Sequence, residues 1–218
     1  MSTSTDIAGP VRARSNRGRL VMAAVGLIAV VAIALDTTVV RIGSEQDVTE
    51  AGFSPDAFGA ENFPAVKESI LSRAVDAATL SQAIAADKAA ATAEHGVAAG
   101  VGAVFPVKFT GVVGEGKSGI YGVAVDGLAG ETKIRMQTGP AINGTDLRDA
   151  TGEIKFGDFK NQIEYQNAGA AINDAMKTEV LGAIDAAALQ GKTVSVVGAF
   201  TLVNPKNWLV TPVEIAVQ

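Results

Sequence analysis

Apolar positions along this chain fall into three regimes, each of which predicts a different kind of element. Residues 20–35, LVMAAVGLIAVVAIAL, form an uninterrupted apolar run with no amphipathic period. From residue 63 the spacing turns helical. Val66, Ile70, Leu71, Ala74, Val75 and Ala78 lie at intervals suited to one helix face, and Leu80, Ile84, Ala85, Ala89 and Ala91 continue the run to His95. Pro64 suits a first helical position, with Asn62 nearby as a cap, and Gly96 supplies a stop. Between these two regimes, residues 36–62 mix Gly, Pro, Asp and Ser with isolated apolar residues, which predicts an irregular tether.

After the glycine-rich link at 96–103 the period shortens to two, the signature of half-buried strands. Strands are expected at 107–113, 120–125, 132–137, a short one at 153–156, then 193–203 and 208–217. Within this series Ile172, Met176, Val180, Ile184 and Ala188 recur every four residues with Leu181 beside them, which predicts a helix over about 158–190. Asp158 is its expected N-cap and Gly191 its stop. Three strands, a link with a short strand, a helix and two strands is the order of a five-stranded OB-type antiparallel barrel with its helix between strands three and four. Glycines 111, 114, 122 and 198 would permit the coiling that closure needs. An open antiparallel sheet with helices on one face is the competing arrangement, and the fold class is α+β in either case.

The continuous run changes the picture of where the protein resides. It is 16 residues long and follows Arg12, Arg14, Arg17 and Arg19, the arrangement of a signal peptide or signal anchor whose basic flank stays in the cytoplasm. Ala32 and Ala34 offer a cleavage site, while extension to Val40 would give a span of membrane length; both fates stand open. The expected organisation is therefore a basic tail and signal or anchor helix at 1–35, a tether at 36–62, a helical segment at 63–95 and the β domain at 104–218. Beyond residue 35 the chain holds 14 basic and 22 acidic residues, a net charge of -8, which is a poor match for nucleic acid. Cysteine is absent, so disulfides, thiolate metal sites, a cysteine nucleophile and acylation of an N-terminal cysteine are excluded for this sequence.

Candidate chemistry is sparse. His95 is the single histidine, and its place before Gly96 suits a donor to the last helical carbonyls. Residues 111–118, GVVGEGKS, match the phosphate-loop pattern G-x-x-x-x-G-K-[ST], but the following GIYGVAVDG alternates as a strand where that chemistry needs a helix; a hairpin turn is expected, and no nucleotide. Asn143-Gly144-Thr145 matches a glycosylation sequon. The densest polar stretch is 139–165, with turn formers at Gly139-Pro140 and Asn143-Gly144 and three aromatics. Asn143, Thr145, Arg148, Asp149, Asn161, Gln162 and Tyr165 are its candidate ligand-binding residues. Arg148 and Asp149, adjacent on an extended chain, should point apart and serve different partners, whereas Asn161 and Tyr165 should share a helix face. These groups either satisfy buried carbonyls and amides at a corner of the fold or line a polar cleft for a small sugar or organic acid, with at most weak hydrolysis. No nucleophile–base pair is present, so a non-enzymatic protein with no cofactor and no metal is expected.

The segment GPAINGTDLRDATGEIKFGDFKNQIEYQNAGAAIN resembles the signature of the DUF2291 family of predicted periplasmic lipoproteins. The resemblance extends to VDAATLSQAIAADKAAATAEHG, VKFTGVV, GKTVSVVGAF and LVTPVEIAV, and so covers most of the chain from about Asp56. It implies an envelope protein of unknown molecular function, often encoded near sugar ABC transporters. An ABC transporter or its binding protein is thus an implied partner, alongside the membrane through the N-terminal helix. The lipoprotein form is departed from, since no cysteine follows the apolar run.

Overall fold

The computed structural model describes residues 53–100 and 102–218, together with residues 21, 22 and 25–27, which are helical. The expected signal or anchor helix and most of the expected tether lie outside the described residues. Among the described residues no helix is long and apolar enough to cross a membrane.

The described chain begins with three helices, α1 (Pro55–Arg73), α2 (Ala77–Ala86) and α3 (Lys88–His95). The helical region starts eight residues earlier than the spacing from Phe63 predicts. Pro55 takes the first-turn position expected of Pro64, and Pro64 lies inside α1. Phe63, Val66 and Ile70 form the buried stripe of this helix. The later boundaries are set by aspartates. Asp76 Oδ1 accepts from the amides of Ala78 and Thr79 at 2.9 and 3.2 Å to open α2, and Asp87 Oδ1 accepts from Ala89 and Ala90 at 2.8 and 3.0 Å to open α3. His95 is the last residue of α3, and the Gly96 amide closes the helix on the Thr92 carbonyl.

Two two-residue strands, β1 (Val75–Asp76) and β2 (Val97–Ala98), attach to the N-terminal half of β3 (Ala103–Lys117). The remaining strands are β4 (Ile120–Ala124), β5 (Lys133–Gln137), β6 (Thr193–Thr201) and β7 (Asn207–Val217). β3 pairs antiparallel with β4 and with β6; β4 pairs antiparallel with β5, and β6 with β7. β5 and β7 run parallel, Ile134 opposite Trp208, so the sheet is mixed where an antiparallel one is expected. The pairings among β3, β4, β5, β7 and β6 return to β3, and with β1 and β2 they make one seven-stranded sheet.

The expected strand at 153–156 is replaced by coil and a 3-10 turn at Phe156–Asp158. The expected helix is shorter than its apolar period: α5 spans Gln162–Glu179, and two 3-10 turns, Leu181–Ala183 and Ala186–Ala188, carry the pattern onward. Its N-cap is Asn161, whose side chain accepts from the Glu164 amide at 3.0 Å. Asp158 instead accepts from the Lys155 amide at 2.9 Å, because the extended backbone at Phe159 separates it from the helix. A four-residue helix, α4 (Asp146–Asp149), precedes this segment.

Strand alternation divides the apolar residues between two cores. Phe105, Val107 and Phe109 of β3, Val196 and Phe200 of β6 and Trp208 of β7 pack with Leu80 and Ile84 of α2. Phe200 stacks on Trp208 with centroids 4.5 Å apart, and Phe105 on Phe200 at 5.7 Å. Neighbouring positions Val104, Ala199 and Val213 face the other way, onto Phe63, Val66 and Ile70 of α1 and Ile172 and Met176 of α5. Gly111 and Gly198 mark close backbone approaches: a Cβ there would lie 2.3 Å from the Ala124 carbonyl oxygen or 2.4 Å from that of Thr211.

Candidate functional site

The polar stretch of the sequence folds into a junction between β5, α4 and α5. At its centre Gln137 is fully buried. Its Nε2 donates to the Asn143 carbonyl at 3.0 Å and to Thr211 Oγ1 at 2.9 Å, and its Oε1 accepts from the Asn143 amide at 2.9 Å. The loop after β5, which includes a cis Gly139-Pro140 bond, is thereby held to β7 through one side chain. Asp146 accepts from the hydroxyls of Thr201 and Thr211, and Asn173 Nδ2 donates to the Gly144 carbonyl at 3.0 Å. Burial raises the Asp146 carboxyl above the ordinary carboxylate range, against the lowering effect of the hydrogen bonds from Thr201 and Thr211.

Four of the seven residues singled out from sequence meet here. Arg148 Nε donates to Asp149 Oδ1 at 2.8 Å and Nη1 to the Tyr165 carbonyl at 2.9 Å, while Thr145 Oγ1 donates to Asp149 Oδ2 at 2.7 Å. The guanidinium carbon lies 3.5 Å from the Tyr165 ring centroid. Arg148 and Asp149 therefore serve each other, contrary to the expectation that they point apart. The segment is helical where an extended chain is assumed, and α4 turns the two side chains together. The other three lie apart. Asn143 is exposed and joins the network through its backbone, Asn161 is occupied as the N-cap of α5, and Gln162 is exposed. Tyr165 follows Asn161 by one turn, its amide donating to the Asn161 carbonyl at 3.2 Å. The aromatics of this stretch join Phe53 and Phe58 of the helical region, with ring centroids 5.4 to 5.6 Å apart through Phe159, Phe156 and Tyr165.

A second candidate surface lies elsewhere, at β4 and β5, where apolar residues such as Ile120, Val125 and Leu128 stand beside charged ones. An open cleft of about 920 Å³ is lined by residues 114–118 of β3 and its hairpin turn, by residues along β4, by Thr132, Lys133 and Arg135 at β5, and by Asn207 at the start of β7. That volume is in the range of small-molecule sites. The hairpin is a two-residue turn with positive φ at both Ser118 (53°) and Gly119 (75°), the backbone a tight right-twisted hairpin requires. The phosphate-loop pattern thus runs along a strand and round a hairpin into another strand.

Three cations reach this cleft. Lys133 and Arg135, two apart on β5, share its face, and Lys117 closes one end. Among the described residues none of the three has a carboxylate within ion-pair distance, unlike Lys177 with Asp174, Lys206 with Glu131 and Arg148 with Asp149. Arg135 Nε donates to Asn207 Oδ1 at 2.8 Å, an exposed bond that anchors one edge of the guanidinium at the cleft. Gly122 is the cross-strand partner of Arg135, and a Cβ on it would meet nothing within 4 Å. Sequence reading assigns Gly122 to sheet coiling and passes over Lys133, Arg135 and Asn207. The available signal was the OB-type strand order, which sets the second and third barrel strands and the first hairpin as a common ligand face.

The comparisons agree with this architecture. The chain is similar to a solved OB-fold protein from Thermotoga maritima, with a TM-score of 0.61 and 19% identity over 77% of this chain and 99% of that one, a likeness that shows the fold. No curated protein sequence matches. The family model described as a predicted periplasmic lipoprotein, DUF2291, matches residues 23–216, which supports an extracytoplasmic place in the cell envelope. The chain belongs to the DUF2291 family.

Proposed function

We propose that this protein is a non-enzymatic module of the cell envelope, held at the membrane by its N-terminal segment, that works by binding a ligand in the cleft on β4 and β5 as an accessory to solute uptake. The observation that carries the reading is that Lys117, Lys133 and Arg135, none of them ion-paired among the described residues, line one cleft with the open backbone at Gly122. The apolar run behind four arginines supports membrane attachment. The link to uptake, with an ABC transporter or its binding protein as partner, rests on the family resemblance. A ligand held by Arg148 and Asn161 has less support, since Arg148 is bonded to Asp149 and Tyr165 and Asn161 caps a helix.

Thermal-shift screening of the full chain against sugars and organic acids tests the binding role. A ligand at 100 times its dissociation constant adds about 2.7 kcal/mol to stability. The shift should shrink in Gly122→Gln, whose side chain covers the bare backbone of the cleft, and persist in a variant of an exposed junction residue such as Gln162→Ala. Absence of any shift across the library would count against the cleft. For the uptake role, affinity purification in mild detergent that recovers no transporter or solute-binding subunit would remove it.

A further inference from the structure

Resting on the reading of the β4–β5 cleft as the working face, we infer that its ligand is an anion-bearing glycan chain, gripped by a carboxylate or phosphate on Arg135 while its sugar rings lie over Gly122 and Gly114. Three observations carry this. The first is the state of Arg135. Its Nε is committed to Asn207 at 2.8 Å, so one edge of the guanidinium is anchored on a residue that itself lines the cleft, and among the described residues no hydrogen bond engages its terminal nitrogens, the pair of donors that a carboxylate or phosphate can take in bidentate fashion. Lys133, two residues away on the same strand, and Lys117 at the hairpin extend the positive field along the trough. Glu115 is the one acid lining it, in a chain that holds 23 acidic residues against 18 basic ones. Cations gathered into one cleft of an acidic protein draw anions selectively to that place.

The second observation separates the glycines of the sheet by what surrounds them. Gly111 and Gly198 are demanded by packing, since a Cβ at either would collide with a carbonyl oxygen of the paired strand. Gly122 has open space above it, and at Gly114 the one neighbour of a Cβ would be the Gly122 carbonyl oxygen at 3.4 Å. No contact in the fold asks for a missing side chain at Gly122. In mid-strand, where glycine weakens a sheet, bare backbone is the floor that a flat ring approaches closely. The bare floor ends at Arg135, directly across from Gly122 in the β4–β5 register.

The third is shape and setting. The cleft is open to solvent and large enough for more than one sugar ring, and the Ser118 hydroxyl and the Asn207 amide nitrogen stand at it as partners for sugar hydroxyls. An extracytoplasmic family setting favours a glycan over nucleic acid as the polyanion.

The test is titration calorimetry on the detergent-solubilised full chain with four probes: an oligogalacturonate, a phosphorylated mannan oligomer, an uncharged galactan oligomer of equal length, and a single-stranded oligonucleotide. Binding of one or both charged sugars, about tenfold or more tighter than the neutral one and weakened by added salt, is expected. Whichever charged sugar binds identifies carboxylate or phosphate as the anion. Arg135→Gln should weaken that binding about tenfold with an unchanged melting temperature, and Gly122→Gln should abolish it. Equal binding of the neutral sugar, lost in Gly122→Gln, overturns the anionic class and leaves the cleft as the working face. Equal or tighter binding of the oligonucleotide overturns the glycan. Binding that survives Gly122→Gln overturns the cleft itself. If none of the probes binds, the inference fails, and the thermal-shift screen decides the cleft separately.

Discussion

Arg148 and Arg135 are both attached to short elements of the same β domain, and the chain uses them in opposite ways. Arg148 is enclosed, with Asp149, the Tyr165 carbonyl and the Tyr165 ring around it. Arg135 is tied by one nitrogen to Asn207 and otherwise faces an open cleft beside a glycine. The first lies in the densest polar stretch of the sequence, the second in a short alternating strand that attracts no notice. Polar density along a chain reports how many groups must be satisfied, and a junction between a sheet and two helices has many. A binding surface is marked by groups left unsatisfied, which only the paired strands disclose.

The largest effect should come from the junction. Arg148→Ala leaves the Asp149 carboxylate nearly buried without its cation and should cost about 3 kcal/mol in urea unfolding. Arg135→Ala should stay within about 0.5 kcal/mol. Similar losses for the two would erase the contrast. The glycines give the next contrast. Gly111→Ala forces a methyl against the Ala124 carbonyl and should destabilise by about 2 kcal/mol, whereas Gly122→Ala should be neutral or slightly stabilising. A large loss at Gly122 would mean that the fold, and no ligand, requires it. Asn161→Ala removes the cap of α5 and should cost about 1 kcal/mol, with no loss of cleft binding.

The smallest effect is the dependence on pH set by Asp146. Burial raises its carboxyl in the folded state, so the native protein holds that proton more tightly than the unfolded chain does. Its contribution to stability therefore falls as pH rises from the ordinary carboxylate range through the raised folded value, and the penalty is complete above it. Asp146→Asn lacks this titration. Its stability relative to the parent should improve as pH goes from 4 to 7, read as a difference in melting temperature. A difference that stays flat over that interval would show that the carboxylate is not perturbed.

Much of the fold was legible because alternation and helical period are local. Burial alternates along the middle of β3 and the first half of β6, while the start of β3 and the middle of β7 are buried on both faces, and the strand order around α5 carries the OB arrangement. Boundaries were harder. Asp76 and Asp87 break the helical region by capping, a role indistinguishable in sequence from a solvated acid on a helix. The pattern that continues past Glu179 runs into 3-10 turns, where Leu181 stays buried, Ile184 is half-buried between the turns and Ala188 is exposed, so the apolar period outlasts the helix that it resembles. An extended chain would point Arg148 and Asp149 apart, and one turn of helix reverses that. The cleft could not be read locally, because the adjacency of Gly122 to Arg135, and of Arg135 to Asn207, exists only once β4, β5 and β7 are paired.

The circuit of strands also has a consequence in time. β3 finds its longest partner in β6, where Thr110 and Ser195, 85 residues apart, share a hydrogen bond of 2.8 Å. Such distant pairing slows folding, since the loop must close before the contact rewards it. A chain delivered N-terminus first exposes Phe105, Val107 and Phe109 on one flank of β3 until β6 arrives near the end. A chain that folds in the order of its synthesis thus holds its central strand half-dressed for most of its length, and β6 and β7 act as the latch that ends that exposure.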